Sequence, residues 1–362
     1  MTIRSWLQRG SGVILLAATA LLAGCSLTVP QSTFDPQGPI ADLTNNLFWL
    51  VFWLGSIVYA LVLGVLLYIV YRFRKRSRGA GGELPPQTHG NLLFEAGWTI
   101  LPAILVVVIA VPTVRDIWAT ETRVTDENAL QIIVTGYQWW WAFEYPELGI
   151  MTANEVHIPV GRTVNFTLRS GDVLHSFWVP KLSGKRDLIP NQDNQLWFSA
   201  SEPGIYHGQC SEFCLGAHAQ MRLRLIAQSE DDFNAWAASF AEATQVSEQV
   251  RPPLVEQGSQ LFLQRGCVQC HAIAGTAAQA VIGPDLTNFG QRTTLAAGIV
   301  ANTPENLAAW LRDPQAVKPD NHMPNLQLSE DDIRALVAYL RSLGSVQSVA
   351  EGLAGGTAYG NR

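Results

Sequence analysis

Two short clusters hold most of the reactive side chains of this 362-residue sequence. In the first, Cys210 and Cys214 are followed by His218 and Met221, with His175 upstream at the head of the strand-like run His175-Ser176-Phe177-Trp178. Thiolates, imidazoles and a thioether form a soft donor set that suits copper better than magnesium or calcium. Two cysteines with two histidines could instead make a tetrahedral structural zinc site. Met221, three residues beyond His218, weighs toward copper, but spacing leaves one copper, two coppers or zinc open. In the second cluster, Cys267-Val268-Gln269-Cys270-His271 has the form of a c-type haem attachment motif, two thiols for thioethers and an adjacent histidine for the iron. Met323 is the expected second axial ligand, with His322 its competitor next door, and methionine opposite histidine raises the haem potential.

These clusters need a compartment and a scaffold. Residues 1–24 begin with Arg4 and Arg9, continue through the apolar stretch Val13 to Leu22 and lead into Cys25, the layout of an export signal. The ending Leu22-Ala23-Gly24-Cys25 resembles a bacterial lipoprotein cleavage box and implies Cys25 as a lipidated mature N-terminus. With Cys25 so used, none of the five cysteines remains for a disulfide scaffold.

Leu47 to Tyr71 is a run of 25 residues without charge, and 19 more uncharged residues lie between Glu95 and Arg115. At ~1.5 Å per residue each run can cross a hydrocarbon layer of ~30 Å. A two-helix transmembrane hairpin is expected over 42–115, with helices at about 47–71 and 96–114, and with Pro102 and Pro112 perturbing or bounding the second. Arg72, Arg74, Lys75, Arg76 and Arg78 follow the first helix directly and mark a cytoplasmic loop. Everything after about residue 115 then lies outside the cytoplasm, in a bacterial inner membrane on the periplasmic side.

From 116 to 228 the pattern changes to short alternating segments. Val164, Phe166 and Leu168 alternate with Asn165, Thr167 and Arg169, and Met221, Leu223 and Leu225 with more polar neighbours, as half-buried strands do. Glycines punctuate them as turns, so an antiparallel β-sandwich or barrel is expected here. Residues 229–253 read as a polar linker with one short helical piece near Asp231 to Phe240. Residues 254–345 read as an all-α haem domain, opened by a helix from Leu254 to Arg265. It is closed by a helix that Ser329 and Asp332 start and that Ile333, Leu336, Val337 and Leu340 turn inward. The tail 346–362 is rich in small residues and is expected to be flexible.

The segment from Asn91 to Ala227 resembles cytochrome c oxidase subunit II at four places in order. These are Glu95-x-x-Trp98-Thr99-x-x-Pro102, Gly136-Tyr137-Gln138-Trp139-Trp140-Trp141, Asp172-Val173-Leu174-His175-Ser176, and Gly208-Gln209-Cys210-Ser211-Glu212-Phe213-Cys214. With the haem segment included, the whole resembles the caa-type subunit, which has a fused C-terminal cytochrome c domain of class I. The resemblance implies a cupredoxin-like domain with a dinuclear CuA centre, in which Cys210 and Cys214 bridge both coppers. His175 and Met221 would complete one copper, and His218 with the Glu212 carbonyl the other.

It further implies that the Glu212 carboxylate reaches a magnesium at the subunit I interface, that Trp139 is the point of electron entry to CuA, and that Glu95 is the mouth of a proton pathway. The implied activity is proton-pumping reduction of O2 to water by the complex, with the oxygen chemistry in subunit I. The implied partners are subunits I and III, membrane lipid, and an external cytochrome c or quinol–cytochrome c reductase as electron source. Two other functions would use parts of this machinery: electron delivery for nitric-oxide or nitrous-oxide reduction, and a non-catalytic copper-binding assembly protein.

A formal net charge of −6 and the lack of a basic aromatic stripe argue against nucleic-acid binding. His207 is expected to hydrogen-bond behind the copper loop, and His89 and His157 to lie at the surface.

Overall fold

A computed structural model of the chain describes residues 29–74, 90–121, 126–245 and 251–344. Cys25, Lys75, Arg76, Arg78, His89 and the tail, with the signal, lipidation and flexibility expected of them, lie outside the described residues.

Two helices open the described chain, α1 (Pro39–Phe73) and α2 (Leu92–Glu121). Both are longer than their charge-free cores. Asp42 interrupts the apolar run without ending the helix, because the first turn of α1 leaves the membrane and enters the next domain, where Ile40 and Ala41 are buried. Just before it, Gln37 N donates to the Lys181 carbonyl at 2.7 Å, and Lys181 Nζ bonds Asp35 at 2.6 Å. At the far end of α2, Glu121 pairs with Arg186 and the Ala119 carbonyl accepts from Trp197 Nε1 at 3.2 Å. Pro102 and Pro112 lie inside α2 and neither ends it, as membrane helices often permit.

Ten strands follow: β1 (Leu130–Tyr137), β2 (Trp140–Tyr145), β3 (Ile150–Ala153), β4 (Glu155–Pro159), β5 (Val164–Ser170), β6 (His175–Trp178), β7 (Arg186–Leu188), β8 (Asn194–Phe198), β9 (Gly204–Cys210) and β10 (Arg222–Gln228). They form two five-stranded sheets, ordered β3-β2-β1-β5-β8 and β4-β10-β9-β6-β7. The sandwich is the cupredoxin-like layer structure expected, but its pairing is mixed, since β1 runs parallel to β5 and β10 parallel to β4. Period-two burial along β1, β2 and β10 turns one face of each strand inward. Between the sheets Phe177 meets Trp141, Phe143 and Phe166 at centroid distances of 5.6, 6.3 and 5.6 Å, in edge-on and tilted geometries that favour aromatic packing.

The region read as a linker is largely helix α3 (Glu230–Gln245). Phe233, Trp236 and Phe240, at helical spacing, pack it on the sandwich, with Phe233 and Phe240 in the core. The segment therefore belongs to the sandwich domain rather than hanging free of it.

The C-terminal domain is helical, with α4 (Pro253–Gln264), α5 (Pro304–Arg312), α6 (Pro314–Val317) and α7 (Glu330–Ser342), and a two-residue pair of strands, β11 (Thr294–Leu295) and β12 (Val300–Ala301). Ser329 Oγ caps α7 by accepting from Asp332 N at 3.1 Å. α4 crosses α7 at Gly258, where any side chain would collide with the Ala335 carbonyl, so this crossing requires glycine. Ile333, Leu336 and Leu340 enter a core shared with Leu261 and Phe262.

Candidate functional site

The copper candidates meet where β6, the end of β9 and the turn into β10 converge. Cys210 Sγ lies 3.8 Å from His175 Nδ1 and 3.9 Å from Cys214 Sγ. Cys214 Sγ lies 3.4 Å from His218 Nδ1 and 3.9 Å from Met221 Sδ, and the Glu212 carbonyl is 3.2 Å from Cys210 Sγ. The donor atoms of His175, Cys210 and Cys214 all fall within 4.8 Å of one another. Both cysteines are free thiols, and their separation is far above the ~2.05 Å of a disulfide. Six groups from the sequence-predicted set thus surround one buried point.

Electrostatics support a cation there. A hydrogen bond from the Cys214 thiol, with further bonds from His175 and the backbone, pushes Cys210 down to about 4, while the Cys210 sulfur and burial push Cys214 up. The pair can hold one negative charge on its own, and a second thiolate requires a metal between them. His175 Nε2 bonds Asp172 Oδ1 at 2.7 Å, which orients the ring with Nδ1 toward the sulfurs. Burial opposes a charge on His175, but Asp172 and Cys210 outweigh it and raise the ring above the usual imidazole value. Asp172 is itself held by Gln138 N and Val173 N at 2.6 Å each. Its role as orienter was not foreseen, although its place three residues before His175 offered a signal.

The haem candidates line one cleft, which Cys267, Cys270, His271 and Met323 share with Leu286, Phe289 and Leu336. His271 Nδ1 donates to the Pro284 carbonyl at 2.8 Å, leaving Nε2 free for a metal. Burial lowers the His271 pKa, which favours the neutral ligand form. A Cβ on Gly283 would sit 2.8 Å from this ring, so glycine is needed for the close approach. Two thiols, a neutral imidazole and a thioether around an apolar cleft fit a c-type haem.

The cleft is not closed by the helical domain alone. Gln138, Trp139 and Trp140 of the sandwich complete its wall. Trp139 is buried, and its Nε1 donates to the Cys214 carbonyl at 2.9 Å, as does Gln138 Nε2. Its ring lies against His322, centroids 4.6 Å apart, and its carbonyl accepts from Lys318 Nζ at 2.6 Å. Gly216, at φ +28°, leaves room for the indole. His322 is thus engaged with Trp139 on the sandwich.

A second contact fastens the same two domains. Glu155, 1% exposed, accepts from Thr293 N (3.0 Å), Thr293 Oγ1 (2.8 Å), Thr294 N (2.7 Å) and Thr294 Oγ1 (2.6 Å). Beside it Arg224 Nη2 donates to the Gly298 carbonyl at 3.0 Å and Arg222 N to that of Ala297 at 3.2 Å. Ala296 and Ala297 hold left-handed backbone, φ 56° and 62°, uncommon for alanine, to present these carbonyls. Neither Glu155 nor Lys318 carries a motif, so sequence reasoning missed both.

Glu95 sits in the first turn of α2. Glu212 is half-buried beside the copper loop. His157 is not the surface residue expected. It stacks on Trp236 at 4.2 Å and lies 3.2 Å from Gln228, and burial pushes it down to about 4, because α3 covers this part of β4. His207, on β9, is likewise pushed down to about 4, by burial and by Arg224, Arg222 and Lys181.

Residues 30–115 match the family described as Cytochrome C oxidase subunit II, transmembrane domain, residues 148–229 its periplasmic domain, and residues 255–344 Cytochrome c. The chain is 38% identical over 346 residues to cytochrome c oxidase subunit 2 of Alkalihalophilus pseudofirmus, spanning 94% of this chain and 99% of that one. It is 36% identical over 340 residues to the corresponding subunit of Bacillus sp. strain PS3, spanning 89% and 94%. A solved periplasmic domain of cytochrome oxidase subunit II from Bradyrhizobium japonicum is 29% identical, covers 32% of this chain and 96% of that chain, and gives a TM-score of 0.31.

Proposed function

The chain belongs to the cytochrome c oxidase subunit II family, in the form with a fused cytochrome c domain, and from this membership we propose that it relays electrons from its haem domain through a dinuclear CuA centre to subunit I. It is a subunit of a haem-copper oxidase in the inner membrane, with a copper site and a haem domain on the extracytoplasmic side. The observation that carries the relay is Trp139, which borders the haem cleft and hydrogen-bonds the Cys214 carbonyl.

When bound, the haem and the copper pair would supply one-electron chemistry. Cys267 and Cys270 would hold the haem covalently, and His271 and Met323 would offer their nitrogen and sulfur to its iron. Cys210, Cys214, His175, His218, Met221 and the Glu212 carbonyl would together hold the copper pair. Both thioether and carbonyl donors lie within 4 Å of a cysteine sulfur, which supports this set over a four-ligand zinc. Asp172 keeps His175 oriented, and the apolar wall around Trp139 excludes water. Trp139 admits electrons to the copper loop.

Glu95 opens the proton path on the cytoplasmic side, and the Glu212 carboxylate takes Mg2+ at the subunit I interface, in keeping with the preference of magnesium for carboxylate and water. The remaining partners are subunit III and, as electron source, an external cytochrome c or quinol–cytochrome c reductase.

Purifying the complex, counting metals and measuring O2 uptake tests this reading. Two coppers and one haem c per chain are expected, with O2 consumption and proton uptake that Glu95→Gln abolishes. One copper, zinc, or no O2 consumption would overturn it.

A further inference from the structure

The haem domain reaches Trp139 through one short segment, Lys318 to Met323. Lys318 is 4% exposed, and among the described residues no carboxylate lies within ion-pairing distance of its ammonium. Burying a lone cation is costly, and burial pushes this one down to about 7. Its bond is to the Trp139 carbonyl. Four residues later His322 packs against the indole of the same tryptophan, its ring tilted by 56°, and the next residue is the axial candidate Met323.

Asn321 ties these three together. Its Nδ2 donates to the Lys318 carbonyl at 2.6 Å and the Pro314 carbonyl at 3.0 Å, and its Oδ1 accepts from Met323 N at 2.7 Å. Gln315 Nε2 adds bonds to the carbonyls of Asn321 and Met323 at 2.8 and 3.3 Å. The segment is therefore braced by its own hydrogen bonds. From Met323 one peptide bond leads to His322, one ring contact to Trp139, and one hydrogen bond to Cys214.

We propose that Lys318 and His322 are positioning residues for electron transfer between the two centres, Lys318 by pinning the Trp139 carbonyl and His322 by packing on its ring. The inference rests on the relay reading above and adds the residues that hold its bridge in place. One electron leaves reduced haem and arrives at oxidised copper, and no bond is made or broken.

The test uses the complete oxidase with Lys318→Met, His322→Ala, His322→Phe and Trp139→Leu. Two quantities are read: flash-triggered electron transfer from haem c to copper, and hydrogen exchange of residues 136–141. Both changes loosen the contacts that hold the bridge, so Lys318→Met and His322→Ala should each slow transfer several-fold. Lys318→Met should also speed exchange at Trp139 and Trp140. His322→Phe, which restores a ring, should recover most of the rate, whereas a role confined to docking would not distinguish alanine from phenylalanine. Should Lys318→Met fail to assemble, the His322 pair decides. Unmodified transfer in Lys318→Met and His322→Ala, with Trp139→Leu slowed, overturns this inference alone. Unmodified transfer in Trp139→Leu overturns the relay reading itself.

Discussion

Replacing Glu155 gives a graded test of how firmly the haem domain is held. Its Oε1 accepts three of the four bonds from Thr293 and Thr294, and Oε2 accepts the fourth, from Thr293 N. Alanine removes all four. The two hydroxyls can turn elsewhere, but the two backbone N–H groups lose their acceptor, and a stranded buried donor costs about 1–3 kcal/mol. With the charge assistance lost as well, Glu155→Ala should weaken this contact by about 3–5 kcal/mol, roughly 10²- to 4 × 10³-fold at ~1.4 kcal/mol per decade. Glutamine keeps the three bonds to Oε1 and puts an NH2 opposite Thr293 N–H, so about 1–2 kcal/mol is expected. Amide hydrogen exchange at Thr293 and Thr294 in the intact chain measures this opening. The order should be wild type, then Gln, then Ala in decreasing protection. Equal protection in Glu155→Ala, with copper and haem retained, would refute the argument.

Further outcomes follow from the same geometry. Asp172→Asn removes the charge that orients His175 and should lower copper affinity about 10- to 100-fold in competition with a chelator; undiminished affinity would count against its orienting role. Gly283→Ala should displace His271, since the new Cβ would lie 2.8 Å from its ring, and the haem c spectrum should be altered or absent. Lys318 has its folded pKa lowered to about 7 from an ordinary value of 10.5, so the unfolded chain binds more protons between these values. Stability should therefore rise with pH across that window, and Lys318→Met should flatten the rise in thermal melts; an unchanged slope would contradict it.

Much of each candidate ligand set was legible because it is local, Cys210 to Met221 lying within one short segment and the haem motif in five residues, whereas His175 and Met323 lie far from their partners in sequence. The strands were legible from period-two burial, and the membrane helices from missing charge. What escaped notice has non-local causes. Glu155 meets partners 138 and 139 residues away, and Lys318 meets one 179 residues away, so nothing around either marks it as special. Thr44, Asn45 and Asn46, with Asp42 before them, hid the true start of α1, because polar residues break an apolar run but not a helix. The helical piece near Asp231 to Phe240 was legible, but polar composition disguised its full length and its packing on the sandwich, although Phe233, Trp236 and Phe240 already had the spacing of a packed face.

The length of α1 has a mechanical consequence. Its 35 residues extend ~52 Å at ~1.5 Å each, well beyond a hydrocarbon layer of ~30 Å, and its first turn is seated in the copper domain through Ile40. No hinge separates the two parts, so the helix acts as a graduated shaft that sets both the height and the azimuth of the copper loop. One residue inserted between Leu43 and Leu47 would turn that domain by ~100° and lift it ~1.5 Å. The phase of a membrane helix thereby dictates which face of the electron carrier its neighbours meet.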